Sequence, residues 1–267
     1  MISMNQIWDD SIAFIRREFA LLLPLALATL YVGDVVANLA AGFSTPATPN
    51  PFATIAILAA TIWSIVGQLS IVSLVLKPGQ SVGEALAHGG ARLGKVILVA
   101  LLLGIVVALA LSPIGAVAIA YGANPEAPES FQKLPGWLGL LVLVTLAALV
   151  WLGIRLALMN ALIVDRNPSV LETIKGGFAL TKGITARLFL IVLLYGLMVL
   201  VLGSAVKFVA GSLFALIGAG LGSSFAGAVM AALVGGIVNA GLSLVATVFF
   251  AMLYSRLQHW DLRSTFA

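Results

Sequence analysis

Three ionisable residues interrupt otherwise apolar runs: Asp34, Arg155 and Lys207. A charge within a bilayer is costly, so each is a candidate for binding, ion pairing or a transport path. Asp34 and Lys207 are opposite in sign and suit an ion pair near the outer face, or two independently solvated charges there. The same two charges also suit a route for a solute. Arg155 needs several acceptors around its guanidinium. Gln68, Thr247, Asn160 and Asn239 fall at comparable depths in neighbouring runs. With Arg155 they form an expected polar layer near the midplane. Two readings of Arg155 follow: it ties segments of the protein together, or it receives an anionic headgroup or substrate.

Catalytic arrangements are harder to build. The two histidines, His88 and His259, sit in polar segments, so no apolar run offers an imidazole to activate a serine. No pair of carboxylates lies at membrane depth for aspartyl chemistry. No Gly-rich loop ends in Lys-Ser or Lys-Thr to cradle phosphates. Cysteine is absent, which removes thiolate ligands and disulfides. The basic stretches lack interleaved aromatics, so nucleic acid is not an expected partner. The expectation is a protein without enzymatic activity, metal or cofactor.

The elements that carry these residues follow from composition. Of 267 residues, 61% are hydrophobic and 9% charged, against about 25% charged in a soluble domain. The chain is read as a single all-α domain, 1–267, a polytopic integral membrane protein. A span needs about 20 apolar residues. Six runs qualify: Phe19 to Ala41, Phe52 to Leu76, Val96 to Tyr121, Trp137 to Val164, Leu188 to Ile217 and Phe225 to Tyr254. Asp9, Asp10 and the interruption at Asp34 argue against a cleaved signal peptide and for an amphipathic N-terminal segment. All Lys and Arg except Lys133, Arg155 and Lys207 fall in 1–18, 77–95, 165–187 and 256–267. The positive-inside rule then places both termini in the cytoplasm.

A shift of 88 residues superposes Trp63 on Trp151 and Leu74 on Leu162. It also brings Ser81, Val82, Glu84 and Gly89 onto Ser169, Val170, Glu172 and Gly177. Widening it to 92 aligns Lys95 with Arg187, Gly104 with Gly196 and Ser112 with Ser204. The order of these matches predicts an internal repeat of interfacial helix, span and span. Its modules lie near 1–77, 78–165 and 166–258, with MNQIWDDSIAFIRREF as a weaker first copy. Both Ser-x-x-Glu phrases carry the capping-box pattern. Each is expected to open a short amphipathic helix in the interface, with Arg92, Lys95, Lys175, Lys182 and Arg187 toward anionic lipid headgroups or a protein partner. An ordinary basic loop is the alternative. Pro113 and Gly203 are expected to bend or end their spans.

The segment IRLALMNALIVDRNPSVLETIKGGFALTKGITARLFLI, with FFAMLYSRLQ near the end, resembles the glycerophosphoryl diester phosphodiesterase membrane-domain family. Its stand-alone bacterial relatives have six spans. Arg155, Asp165, Ser169, Glu172 and the run Leu180-Thr181-Lys182-Gly183 carry the likeness, although Gly177-Phe178 departs from the family pattern. The resemblance implies a multi-pass protein of the bacterial inner membrane that lacks the phosphodiesterase itself. The expected role is a scaffold or accessory module acting on anionic lipid, a membrane-protein partner or a second copy. The competing expectation is a small transporter or lipid-translocating protein with its polar site near Arg155.

Overall fold

In the computed structural model, residues 4–44, 48–124, 130, 135–220 and 222–265 are described. Lys133 and most of the proline-rich connections, at 45–47, 125–129 and 131–134, lie outside the described residues. The chain is a multi-pass, all-helical membrane protein. Six helical stretches are long and apolar enough to cross a bilayer: Phe19–Ala41, Pro51–Leu76, Val82–Ala120, Gly136–Arg166, Thr185–Gly220 and Phe225–Gln258. We call them the first to sixth spans. With six crossings both termini lie on one face, and we call the opposite one the far face.

The amphipathic start is helix α1 (Met4–Arg17), which buries Ile7, Ser11 and Phe14, one per turn. Trp8 meets Phe249 at 6.2 Å and Asp10 pairs with Arg256, so α1 docks on the sixth span. The first span is interrupted. Helix α2 (Phe19–Ala26) contains Pro24, then a π-helical turn covers Leu27–Tyr31, and α3 (Val32–Ala41) completes the crossing. A π turn frees backbone carbonyls from the regular ladder. Here the indole of Trp63 donates to the Ala28 carbonyl at 2.8 Å. The second span, α4 (Pro51–Leu76), starts with Asn50 as cap and Pro51 in the first turn, the order that helix starts favour. Gly67 meets Thr29 of the π turn, and a Cβ there would overlap the threonine hydroxyl. Absence of a side chain lets the two spans touch at that point.

The third span, α5 (Val82–Ala120), is one 39-residue helix, about 58 Å at 1.5 Å per residue. The short separate helix expected at Ser81 to Lys95 is therefore its first turns. Pro113 does not end it. Neither does Gly203 end the fifth span, α9 (Thr185–Gly220). In each case the remaining backbone hydrogen bonds carry the helix onward through an apolar setting that offers no other partner. The break falls elsewhere, in the fourth span. Helix α6 (Gly136–Arg155) stops at Arg155, and α7 (Met159–Arg166) resumes after Leu156–Leu158. Helix α8 (Val170–Leu180) stays separate, as expected, and α10 (Ser224–Thr265) contains the sixth span. Both capping boxes form, at Ser81 with Glu84 and at Ser169 with Glu172.

The core lies among the first, second and sixth spans and α7, with Leu22, Leu69, Ile71, Leu158, Val248 and Leu253 all but inaccessible. Burial in α5 stops at Val99, and α6 buries only Leu138 and Ile154. The far halves of the third and fourth spans therefore present apolar side chains to lipid.

Candidate functional site

Toward the far face, a cavity of about 910 Å³ lies between α3, α9 and α10. That volume falls within the range of small-molecule sites, about 300–1,000 Å³. Asp34 and Asn38 reach it from α3, Ser204 and Lys207 from α9, and Asn239 from α10. Most of the remaining lining is apolar or glycine. The α9–α10 pair forms its frame. Gly218 and Gly227 cross closely enough that a Cβ on Gly227 would overlap the Phe214 carbonyl. Deeper in the membrane, the Tyr195 hydroxyl donates to the Leu242 carbonyl. Between these two clamps the helices enclose space, and Gly203, Gly211 and Gly235 have nothing within 4 Å of where a Cβ would stand. Phe43 and Phe225 meet at 5.9 Å and close the far end. Helix α3 packs on α4 and α10, and α9 packs on α10 and α6. Among the described residues, no substantial α3–α9 packing closes the side between those two helices.

The two membrane charges come together, but not as an ion pair. Both line this cavity. The ion pairs among the described residues are Arg17–Glu18, Arg166–Asp165 and Arg256–Asp10. Asp34 instead accepts at Oδ1 from the Asn239 amide, while Asn38 donates to the Asp34 backbone carbonyl at 2.8 Å. The three-residue step from Gly236 to Asn239 along α10 explains the contact. Gly236 seats against Tyr31 and Val35, which brings Asn239, one turn on, beside Asp34.

Asn239 is thereby removed from the expected polar layer around Arg155, and the layer does not form. Thr247 donates to the Ser243 carbonyl of its own helix at 2.7 Å. Gln68 and Asn160 make no side-chain hydrogen bond among the described residues. Arg155 turns toward α8. Its Nη1 donates to the Phe178 carbonyl at 3.2 Å, and its guanidinium lies 5.1 Å from the Trp151 ring and 5.7 Å from the Phe178 ring. Its Nε is buried without a partner. Gly177 sits against the Arg155 carbonyl, where a Cβ would come within 3.1 Å. Arg155 thus links the break in the fourth span to α8.

The basic face is partly consumed by the protein. Lys95 donates to the Asn167 carbonyl at 2.9 Å, to the Asn167 side chain and to the Pro168 carbonyl. Asn167 is the left-handed cap of α7, with φ of 50°, a conformation in which asparagine is enriched. Arg92 is half-buried and its Nε has no partner. Lys175, Lys182 and Arg187 are exposed, without a hydrogen bond or ion pair among the described residues. Glu172 is held below its ordinary carboxylate value, first by the Ser169 backbone N–H and then by the Ser169 hydroxyl.

One cluster joins two segments that carry the resemblance, a contact that sequence reasoning did not anticipate. Asp165 Oδ2 accepts from the Tyr254 hydroxyl at 2.9 Å and from the Gln258 amide at 2.8 Å, joining α7 to α10. No protein-family model, curated protein or solved structure matches the chain.

Proposed function

We propose that this protein is a non-enzymatic membrane protein that binds a membrane amphiphile through the lateral cleft between α3, α9 and α10, as a lipid-handling or lipid-translocating module. The observation that carries this is a 910 Å³ cavity that holds polar groups at one level and apolar lining elsewhere. A headgroup finds partners at Asp34, Asn239 and Lys207, and chains leave between α3 and α9 into the bilayer. This moves the binding site of the transporter reading from Arg155, whose guanidinium is engaged by α8, to the far-face cavity.

We place both termini in the cytoplasm of a bacterial inner membrane, on the distribution of Lys and Arg. Membership of the glycerophosphoryl diester phosphodiesterase membrane-domain family is proposed on the residues from Arg155 to Gly183. The internal repeat is proposed on the two capping boxes and on Gly89 and Gly177. Each of these glycines sits against the backbone of the preceding span, Gly89 against Leu69 and Ser70, and Gly177 against Arg155 and Leu156. The exposed Lys175, Lys182 and Arg187 favour a second contact, with anionic headgroups on the termini's face.

The test is lipid retention. Native mass spectrometry of the purified protein is expected to show one retained phospholipid per chain. Gly235→Trp, which fills the cavity, is expected to lose it, and Gly104→Trp, on an exposed face of α5, to keep it. Equal retention in the two variants refutes the proposal.

A further inference from the structure

We infer that the cavity selects a zwitterionic headgroup, its ammonium at Asp34 and its anionic oxygens at Lys207, an inference that rests on the amphiphile-binding reading above. Among the residues lining the cavity, Asp34 and Lys207 are the only ionisable ones, and they do not pair with each other. Asn239 occupies Oδ1 of Asp34, and Oδ2 has no protein donor among the described residues. The Lys207 ammonium has no protein acceptor among them. The site therefore contains one charge of each sign, each lacking a counter-charge, in surroundings where an unpaired charge is expensive.

A ligand of one sign completes half of this site and confronts the other half with a like charge. An anionic phospholipid meets Lys207 but is repelled by Asp34. A cationic amphiphile has the reverse difficulty. Only a ligand carrying both charges satisfies both positions, so repulsion as well as attraction sets the choice. Ser204, one turn before Lys207 and also lining the cavity, adds a hydroxyl donor for the anionic end. Asn239 orients the Asp34 carboxylate, and Asn38 donates to the Asp34 backbone carbonyl. The chemistry is that of an aminoalkyl phosphate. It reaches the cavity either as a phosphatidylethanolamine in the bilayer or as a free zwitterion from water.

The experiment uses the full chain in nanodiscs of equimolar phosphatidylethanolamine and phosphatidylglycerol, with retained lipid read by native mass spectrometry. Phosphatidylethanolamine is expected to be enriched about tenfold over phosphatidylglycerol, a discrimination of one charge contact. Asp34→Asn keeps the shape and the Asn239 contact, and is expected to abolish the enrichment. Lys207→Gln is expected to lower retention of both lipids. In a second arm, phosphoethanolamine is titrated calorimetrically into wild-type and Asp34→Asn protein in phosphatidylglycerol nanodiscs. Lipid retained without headgroup preference overturns the zwitterion inference and leaves the amphiphile reading standing. No retained lipid, with Asp34-dependent phosphoethanolamine binding, upholds the zwitterion and overturns the membrane source. Failure of both arms overturns both.

Discussion

Replacing Arg155 by methionine tests whether this residue is a tie or a ligand site. The substitution removes the charge-assisted bond to the Phe178 carbonyl, worth about 1.5–3 kcal/mol. It also removes contacts with the Trp151 and Phe178 rings, each about 0.5–1 kcal/mol. Against this, the buried Nε that lacks a partner disappears, which returns about 1–3 kcal/mol. Methionine keeps most of the apolar stem. The net expectation is a loss of about 2 kcal/mol in the docking of α8, or about 30-fold in its opening equilibrium. Thr173 lies on the buried face of α8 and is inaccessible, and the chain has no cysteine. Thr173→Cys therefore reports opening by its rate of thiol labelling, which follows the open fraction when closing is fast. Labelling is expected to accelerate about 30-fold when Arg155→Met is added. An unchanged rate refutes the tie. If lipid retention fell while the rate stayed constant, Arg155 would instead belong to a binding site.

Three further outcomes follow from close contacts and charge. Gly67→Ala is expected to destabilise the protein by about 1–3 kcal/mol through overpacking against Thr29, read by SDS unfolding, and adding Thr29→Gly is expected to return part of that loss. Lys95→Met strands three acceptors around Asn167 and is expected to lower SDS resistance clearly, whereas Lys175→Met, at an exposed position, leaves it unchanged. The Glu172 cap contributes stability above its ordinary pKa of 4.5 and loses it as pH falls through its lowered folded value. Hydrogen exchange in α8 is thus expected to be slower in the wild type than in Glu172→Gln at neutral pH, and to converge with it in acid.

The six spans were legible because hydropathy alone sets them, and a long continuous apolar run satisfies its backbone in the bilayer as a helix. The capping boxes were legible because Ser81 with Glu84 and Ser169 with Glu172 are local pairs. The breaks were not. Pro113 and Gly203 are the usual signals, yet their helices continue, and the fourth span instead breaks at Leu156–Leu158, where neither proline nor glycine stands. That break is a tertiary event: α8 packs its Gly177 onto the Arg155 carbonyl. The π turn at Leu27–Tyr31 was not read from the sequence, and the Trp63 bond that satisfies Ala28 there is long-range. Asp34 and Lys207 stood out by residue type alone. Whether they pair was open in the sequence, which could not show that α3 and α9 stand apart around a cavity, or that Asn239 faces Asp34 and not Arg155.

The most direct test of the cavity as a membrane-facing site is a bimane attached at Gly203→Cys, where a side chain has free space. The fluorophore is read in vesicles against two quenchers, phospholipids brominated on the acyl chain and aqueous iodide. A cleft filled from the bilayer predicts strong quenching by the brominated lipid and little by iodide, with the lipid quenching reduced by Gly235→Trp. Strong iodide quenching with no effect of brominated lipid would reveal a water-filled vestibule and contradict the account.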